Sequence, residues 1–423
     1  MKVRTISQCR ICGGTVKDII DLGSQELTGV FPEPNENVEV GELSLVKCDS
    51  ANGCGLVQLR HTFEADKMYG ENYGYRSGLN KSMIVHLRKI SKMATEIVTL
   101  HEGDFVLDIG SNDGTLLGTY DEYLDINLMR VGIDPSGEKF SQYYKNDILL
   151  IPTFFSANKI KEELGNKQAK IITSIAMFYD LENPIEFASN IYSILDDEGI
   201  WVAEQSYMPM MVKANSYDTI CHEHIEYYSL KQILWIADKV GFKVIDVGTN
   251  DTNGGSFCVV CAKKESNLSV NSNVWEMIEY EKEKEVNTIS YMKDFQSAID
   301  KSKADLLAFL TEQKERGKLV LGYGASTKGN VVLQYCGIDK HLIPAIAEVN
   351  EDKFGKVTPG TRIPIISEAE AKNMNPDYFL VLPWHFKQDI LQRENEYMDS
   401  SGCKFVFHLP KLEIYGAEGI DRS

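Results

Sequence analysis

The sequence predicts an α/β protein made of a small cysteine-bearing N-terminal domain followed by two separate wound sheets. Three observations predict it. Residues 1–72 are turn-rich and hold two close cysteine pairs. Residues 73–265 alternate apolar strand-like runs with helical patterns, the signature of a wound sheet. Residues 317–423 repeat that alternation after a stretch, 266–316, rich in Glu, Lys, Asn and Met, where Ile278, Ile289, Met292, Phe295, Ile299, Leu306 and Phe309 recur at helical spacing.

The totals agree with several domains. A chain of 423 residues exceeds one ordinary core. With 43% hydrophobic and 25% charged residues it reads as a soluble globular protein, and no apolar run reaches the ~20 residues of a membrane span. The opening "MKVRTISQCRICGG" has no apolar segment like a secretory signal, so a cytoplasmic protein without membrane partners is expected. A net charge of −18 disfavours nucleic-acid partners, which bind basic patches. Nine cysteines in such a chain point to thiols or metal ligands over disulfides.

Cys9 and Cys12 form a C-x2-C knuckle followed by two glycines, and Cys48 and Cys54 lie in "KCDSANGCGL". Four soft thiolates in two pairs suit a structural Zn²⁺, since they leave no open position for a substrate. The alternative is four free cysteines in a domain with little core to hold it. Cys258 and Cys261 sit in a strand-like run and read as core.

In the first wound region, "VLDIGSNDGTLL" places Asp108, Gly110, Asn112, Asp113 and Gly114 at a strand-to-helix turn, and "VGIDPS" ends the next strand on Asp134 and Pro135. Glycines admit a ligand close to the turn, and Asp134 stands where a carboxylate accepts both ribose hydroxyls. The D-x-G-x-x-x-G spacing lacks the pyrophosphate fingerprint. Acidic Asp113 repels a diphosphate yet tolerates an ammonium, so S-adenosylmethionine fits better than NAD. Phe154 and Phe155, ending a strand, flank an adenine or pack in the core, and core is the preferred reading. The last two runs, "FKVIDVGT" and "SFCVVCAKK", read as a closing hairpin.

In the second wound region, "LVLGYGASTKGN" sets Gly324, Ser326, Thr327, Lys328 and Asn330 where a strand opens a helix, and Glu348 follows at the next strand's end. A helix N-terminus with hydroxyls and one ammonium suits a nucleotide diphosphate. NAD or a structural turn are the alternatives. Trp384 and His385 line a nucleotide pocket or pack. Lys356, Thr358 and Arg362 meet phosphate or form a solvated turn.

Between these regions lies "DTICHEHIEYYS", with His222, Glu223 and His224. Histidines two apart diverge on a helix, which excludes the zinc-protease pair. A proton-transfer centre is the preferred reading, because the stretch follows the strand "GIWVAEQS" at the edge where an acceptor meets a cofactor. A structural loop and an adventitious metal site are the alternatives.

Together the cysteine cluster, "GENYGYRSGLNKSM", "VLDIGSNDGTLL", "HEHIEYYSL", "GYGASTKGNVVLQY", "KFGKVTPGTRIPIIS" and "VLPWHF" resemble the three-domain sugar C-methyltransferases. The resemblance runs in order along essentially the whole chain. It implies a zinc-binding domain, a central class I methyltransferase (Rossmann-like) domain and a C-terminal Rossmann-like domain for a nucleotide-diphosphate sugar, in a monomer or small homo-oligomer. It also implies that His224 is the base, that Glu223 assists it, and that Tyr73, Tyr75 and Ser77 help hold the sugar. Members that methylate C-3 carry tyrosine where this chain has Cys221, and a histidine where it offers Phe178 or Tyr179.

The implied chemistry has its own logic. Removing the proton beside a ketone gives an enolate, so the site needs a base and an oxyanion donor. Neutral histidine suits the first role, with Glu223 to raise its basicity and fix its tautomer, and His222 is a secondary candidate. Tyr75 or Tyr227 suits the second. Rival readings are an O- or N-methyltransferase, an NAD-dependent sugar oxidoreductase and a non-enzymatic nucleotide-sugar-binding protein.

Overall fold

The computed structural model describes residues 3–63 and 76–422. Its central sheet has seven strands in the order Phe242–Asn250, Ser256–Lys263, Leu195–Ser206, Ala169–Ile175, Phe105–Ile109, Met129–Ile133 and Ile148–Ile151. The last five run parallel, while Ser256–Lys263 pairs antiparallel to both of its neighbours, closing the sheet as a hairpin. Phe105–Ile109 is buried at every position, which is why it reads as an unbroken apolar run.

The second seven-stranded sheet runs Ile365–Ser367, Ile346–Glu348, Val320–Tyr323, Tyr378–Val381, Lys404–Phe407, Glu413–Gly416 and Gly419–Arg422. The first five are parallel. The final two form an antiparallel hairpin that the alternating pattern did not announce. Helices Ser272–Glu283 and Ile289–Glu315 fill the stretch before this sheet. The longer helix buries Met292, Phe295, Ile299, Leu306 and Phe309, the residues that recur at helical spacing. One continuous core joins them to Leu43 and Leu45 of the N-terminal sheet and to Leu321, Phe379 and Phe405 of the C-terminal one.

The N-terminal strands Val16–Glu26, Val40–Cys48 and Val57–Leu59 form an antiparallel sheet. Its fourth strand comes from elsewhere in the chain. Glu226–Tyr227 pairs with Gln58 and Val57, and Leu59 N–H donates to Ile225 O (2.9 Å). The chain thus returns from the central region to the first sheet immediately after His224. A two-residue strand has no hydrophobic period, so sequence pattern does not reveal this crossing.

Beside that sheet, the sulfurs of Cys9, Cys12, Cys48 and Cys54 all lie within 4.8 Å of one another, with Cys9 to Cys54 and Cys12 to Cys48 each at 3.4 Å. Four converging soft donors fit tetrahedral zinc, whose ~2.3 Å bonds to sulfur need such a cluster. Gln232 Nε2 donates to Cys54 O (2.8 Å), tying the cluster to the helix Leu230–Val240 that follows the borrowed strand.

Removing the zinc with a chelator, or changing Cys54→Ser, is therefore expected to loosen Glu226–Tyr227 as well as its own domain. Amide hydrogen exchange at Ile225–Tyr227 rises with that at Val57–Leu59, by about tenfold or more, equivalent to ~1.4 kcal/mol of local stability. Exchange that rises only in residues 9–54 contradicts this coupling.

Candidate active site

A cavity of about 560 Å³ opens at the carboxyl ends of the central strands. Asp108, Gly110, Asn112, Asp134 and Pro135 line one wall. Gly110 has φ +73°, a left-handed turn that brings backbone to the cavity, and Asn112 and Ala176 on the same lining hold φ 50° and 54° without being glycine. Asn112 N–H donates to Asp134 Oδ2 (2.8 Å), while Ser136 N–H and Oγ–H donate to Oδ1 (2.7 and 2.6 Å). Those three bonds fix the carboxylate at the cavity edge and leave about one of its four lone-pair sites, on Oδ2, for a hydroxyl. Asp108 accepts from Thr173 Oγ1 (2.5 Å), and burial pushes its carboxyl up to about 7.

Two expectations for this wall change. Asp113 does not line the cavity; its carboxylate accepts from Gly78 N–H (2.9 Å) and Thr115 Oγ1 (2.6 Å) and pairs with Arg76 at 3.6 Å, so it braces the turn instead of meeting an ammonium. Gly114 initiates the helix Thr115–Gly118 behind the wall. Phe154 and Phe155, read as core, instead line the cavity; Phe154 is 50% exposed and Phe155 stacks edge-on to Phe187. Apolar rings, an admitted backbone and two carboxylates match the adenine, ribose and amino-acid parts of S-adenosylmethionine.

The opposite wall carries Glu223, His224, Cys221, Tyr179 and Asp180. His224 Nδ1–H donates to Thr219 O (3.0 Å), which leaves Nε2 with the lone pair. The tautomer is thus set by a backbone carbonyl, not by Glu223. Tyr179 meets the imidazole edge-on with centroids 4.6 Å apart. Phe178 is fully buried against Trp201 and Tyr228, so of the two aromatics Tyr179 alone faces the cavity. Burial, with Lys328 nearby, lowers His224 to about 4 and keeps it neutral at physiological pH, while burial raises Glu223.

His222 and Tyr227 turn away. His222 is 1% exposed, stacks on Phe63 and faces Gly41 O (3.3 Å) and Thr28 Oγ1 (3.5 Å), so it ties the loop to the N-terminal sheet. Tyr227 is buried in the borrowed strand, within the core. Tyr73 and Tyr75 lie outside the described residues. Ser77 lines the cavity, its N–H donating to Asn112 Oδ1 (2.9 Å).

From the C-terminal sheet, Thr327 and Lys328 reach the same cavity. Lys328 Nζ donates to Asn253 O (2.7 Å) in the hairpin loop. The rest of that motif supports them. Gly324 turns at φ +80° against Pro383, Ser326 Oγ accepts from Gly329 N–H (3.0 Å) as the helix cap, and Glu348 accepts from Ala325 N–H (3.0 Å) as Asp134 does in the first sheet. Asn330 Nδ2 donates to Thr28 O (2.8 Å), while its buried Oδ1 has no partner among the described residues. Trp384 Nε1 donates to buried Asp218 Oδ2 (2.8 Å), and His385 lies behind Lys328, lowered to about 3 chiefly by burial. Arg362 pairs with Glu26 (2.8 Å), so the turn with Lys356 and Thr358 docks on the N-terminal sheet.

The N-terminal part also touches the site. A Cβ at Gly29 would fall 2.3 Å from Glu223 Oε1 and 3.9 Å from Thr327 Oγ1. Three parts of the chain therefore meet around one carboxyl and one imidazole. Residues missed in the sequence include Asp180 and Gln205, both lining the cavity. Glu204 and Gln205 follow the apolar run Ile200–Ala203 and are buried with it, which their residue types alone do not announce.

This geometry agrees with comparisons to known proteins. Residues 81–247 match the family described as "Methyltransferase domain", residues 251–410 "C-methyltransferase C-terminal domain", and residues 9–69 "Putative zinc binding domain". The chain is an S-adenosylmethionine-dependent methyltransferase with an N-terminal zinc site. It is 29% identical over 419 residues to C-methyltransferase NovU of Streptomyces niveus, covering 98% of each chain. Among solved structures, the plantazolicin methyltransferase BpumL with SAH matches at 14% identity and TM-score 0.33 over 42% of this chain and 82% of its own. LepI with SAM matches at 13% and 0.34 over 44% and 54%. Among the described residues, no helix is long and apolar enough to cross a membrane.

Gly29→Ala is expected to displace the Glu223 carboxyl and lower kcat about tenfold, roughly 1.4 kcal/mol, with little change in the thermal midpoint; an unchanged kcat contradicts the contact. Acid should also unfold the protein. His222, His224 and His408 are lowered to about 4 and His385 to about 3, all chiefly by burial. The unfolded chain binds more protons below its histidine pKa of ~6.5, so stability is full above that value and is lost as pH falls toward 4, by on the order of 3 kcal/mol each for buried His222 and His408. Thermal midpoints measured from pH 7 to 4 should fall across that window.

Proposed function

We propose that this enzyme methylates a ring carbon of a nucleotide-linked keto-deoxy sugar, and that His224 forms the required enolate. The observation that carries the reading is the shared cavity: the Asp108–Asp134 wall, His224 and the Thr327–Lys328 helix start all line it. A cofactor pocket, a base and a cationic helix N-terminus in one space suit an acceptor that joins an acidic carbon to a diphosphate.

In this reading, S-adenosylmethionine would supply an electrophilic methyl group when bound, and Asp108, Gly110, Asn112, Asp134 and Pro135 would hold it, with Phe154 and Phe155 on the same lining. His224 Nε2 takes the proton from the carbon beside the ketone; the electron pair of that C–H bond forms a carbon–carbon double bond, and the carbonyl π pair moves onto the ketone oxygen. Thr219 O accepts from Nδ1–H throughout and favours the imidazolium that results. Glu223, on the same cavity lining, is the proposed assisting carboxyl, and Tyr75 is the proposed oxyanion donor, with Tyr73 and Ser77 on the sugar. Thr327 and Lys328 take the diphosphate, with the Gly324, Ser326, Asn330 and Glu348 framework and Trp384 and His385 behind them. A diphosphate on Lys328 offsets the positive charge that helps depress His224, so acceptor binding raises the basicity of its own base. The division into a zinc-binding domain, a methyltransferase domain, a helical connection and a C-terminal nucleotide-sugar domain is part of the same proposal.

Incubation with nucleotide-linked 4-keto-6-deoxy sugars in deuterated water tests the step. Deuterium enters the carbon beside the ketone with the wild type and not with His224→Asn; exchange that persists in the variant sinks the assignment, and a product methylated on oxygen sinks the enolate. The pH profile has a worked sign. A base must be unprotonated, so kcat/KM holds level down to about pH 5 and drops below it with a midpoint near about 4. An acid limb centred at ~6.5 or higher assigns the base elsewhere.

A further inference from the structure

We infer that Gln205 is a specificity-determining residue that binds a hydroxyl of the acceptor sugar. The inference rests on the sugar reading above and extends it to a side chain outside the H-E-H loop. Gln205 lies at the end of the strand Leu195–Ser206 and is 1% exposed, yet it lines the cavity. Neither its Nε2 nor its Oε1 has a hydrogen-bond partner. Buried amides are normally paired, and a methionine or leucine of similar volume would fill the space without stranding two polar atoms.

Its neighbour shows the contrast. Glu204 is also buried and also lines the cavity, but His86 Nε2 meets its Oε1 at 2.5 Å and Asn250 Nδ2 donates to its Oε2 at 2.8 Å. Glu204 is satisfied by the protein itself. Gln205 borders the cavity with a buried amide whose nitrogen and oxygen both lack a partner among the described residues.

Sheet order decides which end of the cavity this is. Asp134 follows Met129–Ile133, which flanks Phe105–Ile109 on one side. Leu195–Ser206 lies on the other side, beyond Ala169–Ile175. The amide therefore stands away from the ribose carboxylate, on the flank that leads into the loop of Cys221, Glu223 and His224. A donor beside an acceptor complements a hydroxyl, which both gives and takes a hydrogen bond, and not a carboxylate or an ammonium, which do only one. The ligand is a sugar hydroxyl near the carbon being deprotonated.

The test uses the full-length zinc-loaded enzyme with Gln205→Leu and Gln205→Met, which keep the volume, and Gln205→Glu, which keeps only an acceptor. Calorimetry with S-adenosylhomocysteine and steady-state kinetics with nucleotide-linked 4-keto-6-deoxy sugars are read together. The expected result is a KM for the acceptor raised about tenfold or more in the Leu and Met variants, with the Kd for S-adenosylhomocysteine within about twofold of wild type. A matching acceptor lacking one ring hydroxyl should be used equally well by wild type and Gln205→Leu. Weakened S-adenosylhomocysteine binding makes Gln205 a cofactor ligand and overturns the inference, as does an unchanged acceptor KM. If the wild type binds and methylates none of the sugars, the sugar reading itself fails and takes this inference with it.

Discussion

The site depends on one short pairing: Glu226–Tyr227 against Val57–Leu59, reinforced by the Leu59 N–H to Ile225 O bond of 2.9 Å. It anchors the chain one residue after His224 and makes an otherwise free loop part of the zinc-bearing sheet. On the other side, Ile225 N–H donates to Tyr179 O (3.1 Å) at the end of a central strand. Held between two sheets, the imidazole keeps a defined direction, with Thr219 O on Nδ1 and Tyr179 against the ring. The four-cysteine cluster does not line the cavity; a zinc held there would act through this anchor, by fixing the sheet that receives the strand.

Electrostatics follows from the same closure. Because three parts of the chain cover the loop, His224 and His385 lose water and stay neutral, while Lys328 and the buried Asp218 supply fixed charges of opposite sign beside them. Burial and Lys328 lower His224, and Asp218 opposes them in part.

The two strand-to-helix turns were legible in the sequence because their determinants are local. Gly110 with Asp134, and Gly324 with Glu348, each need only a strand, a tight turn, a helix and the next strand's end. In both sheets the carboxylate accepts from an amide of its own turn, Asn112 N–H in one and Ala325 N–H in the other. The cysteine cluster was legible for the same reason. Side-chain direction in irregular loops was not. Asp113 and Asp134 are both acids in turns, and only the backbone decides that one braces the loop while the other edges the cavity. His222 and His224 differ by two residues but face different sheets. Phe154 was misread because an aromatic at a strand end has the same pattern whether it packs or lines a ligand. Gln205 stayed hidden because its meaning lies in having no partner, which no pattern of residues records.

The most direct test is a crystal structure with S-adenosylhomocysteine and a nucleotide-linked keto-deoxy sugar bound together. The account predicts His224 Nε2 within about 3.5 Å of the ring carbon next to the ketone, on the face opposite the cofactor sulfur, with Nδ1 still on Thr219 O. An imidazole that points away from that carbon, or a sugar seated outside the cavity shared by Asp134, His224 and Lys328, contradicts it.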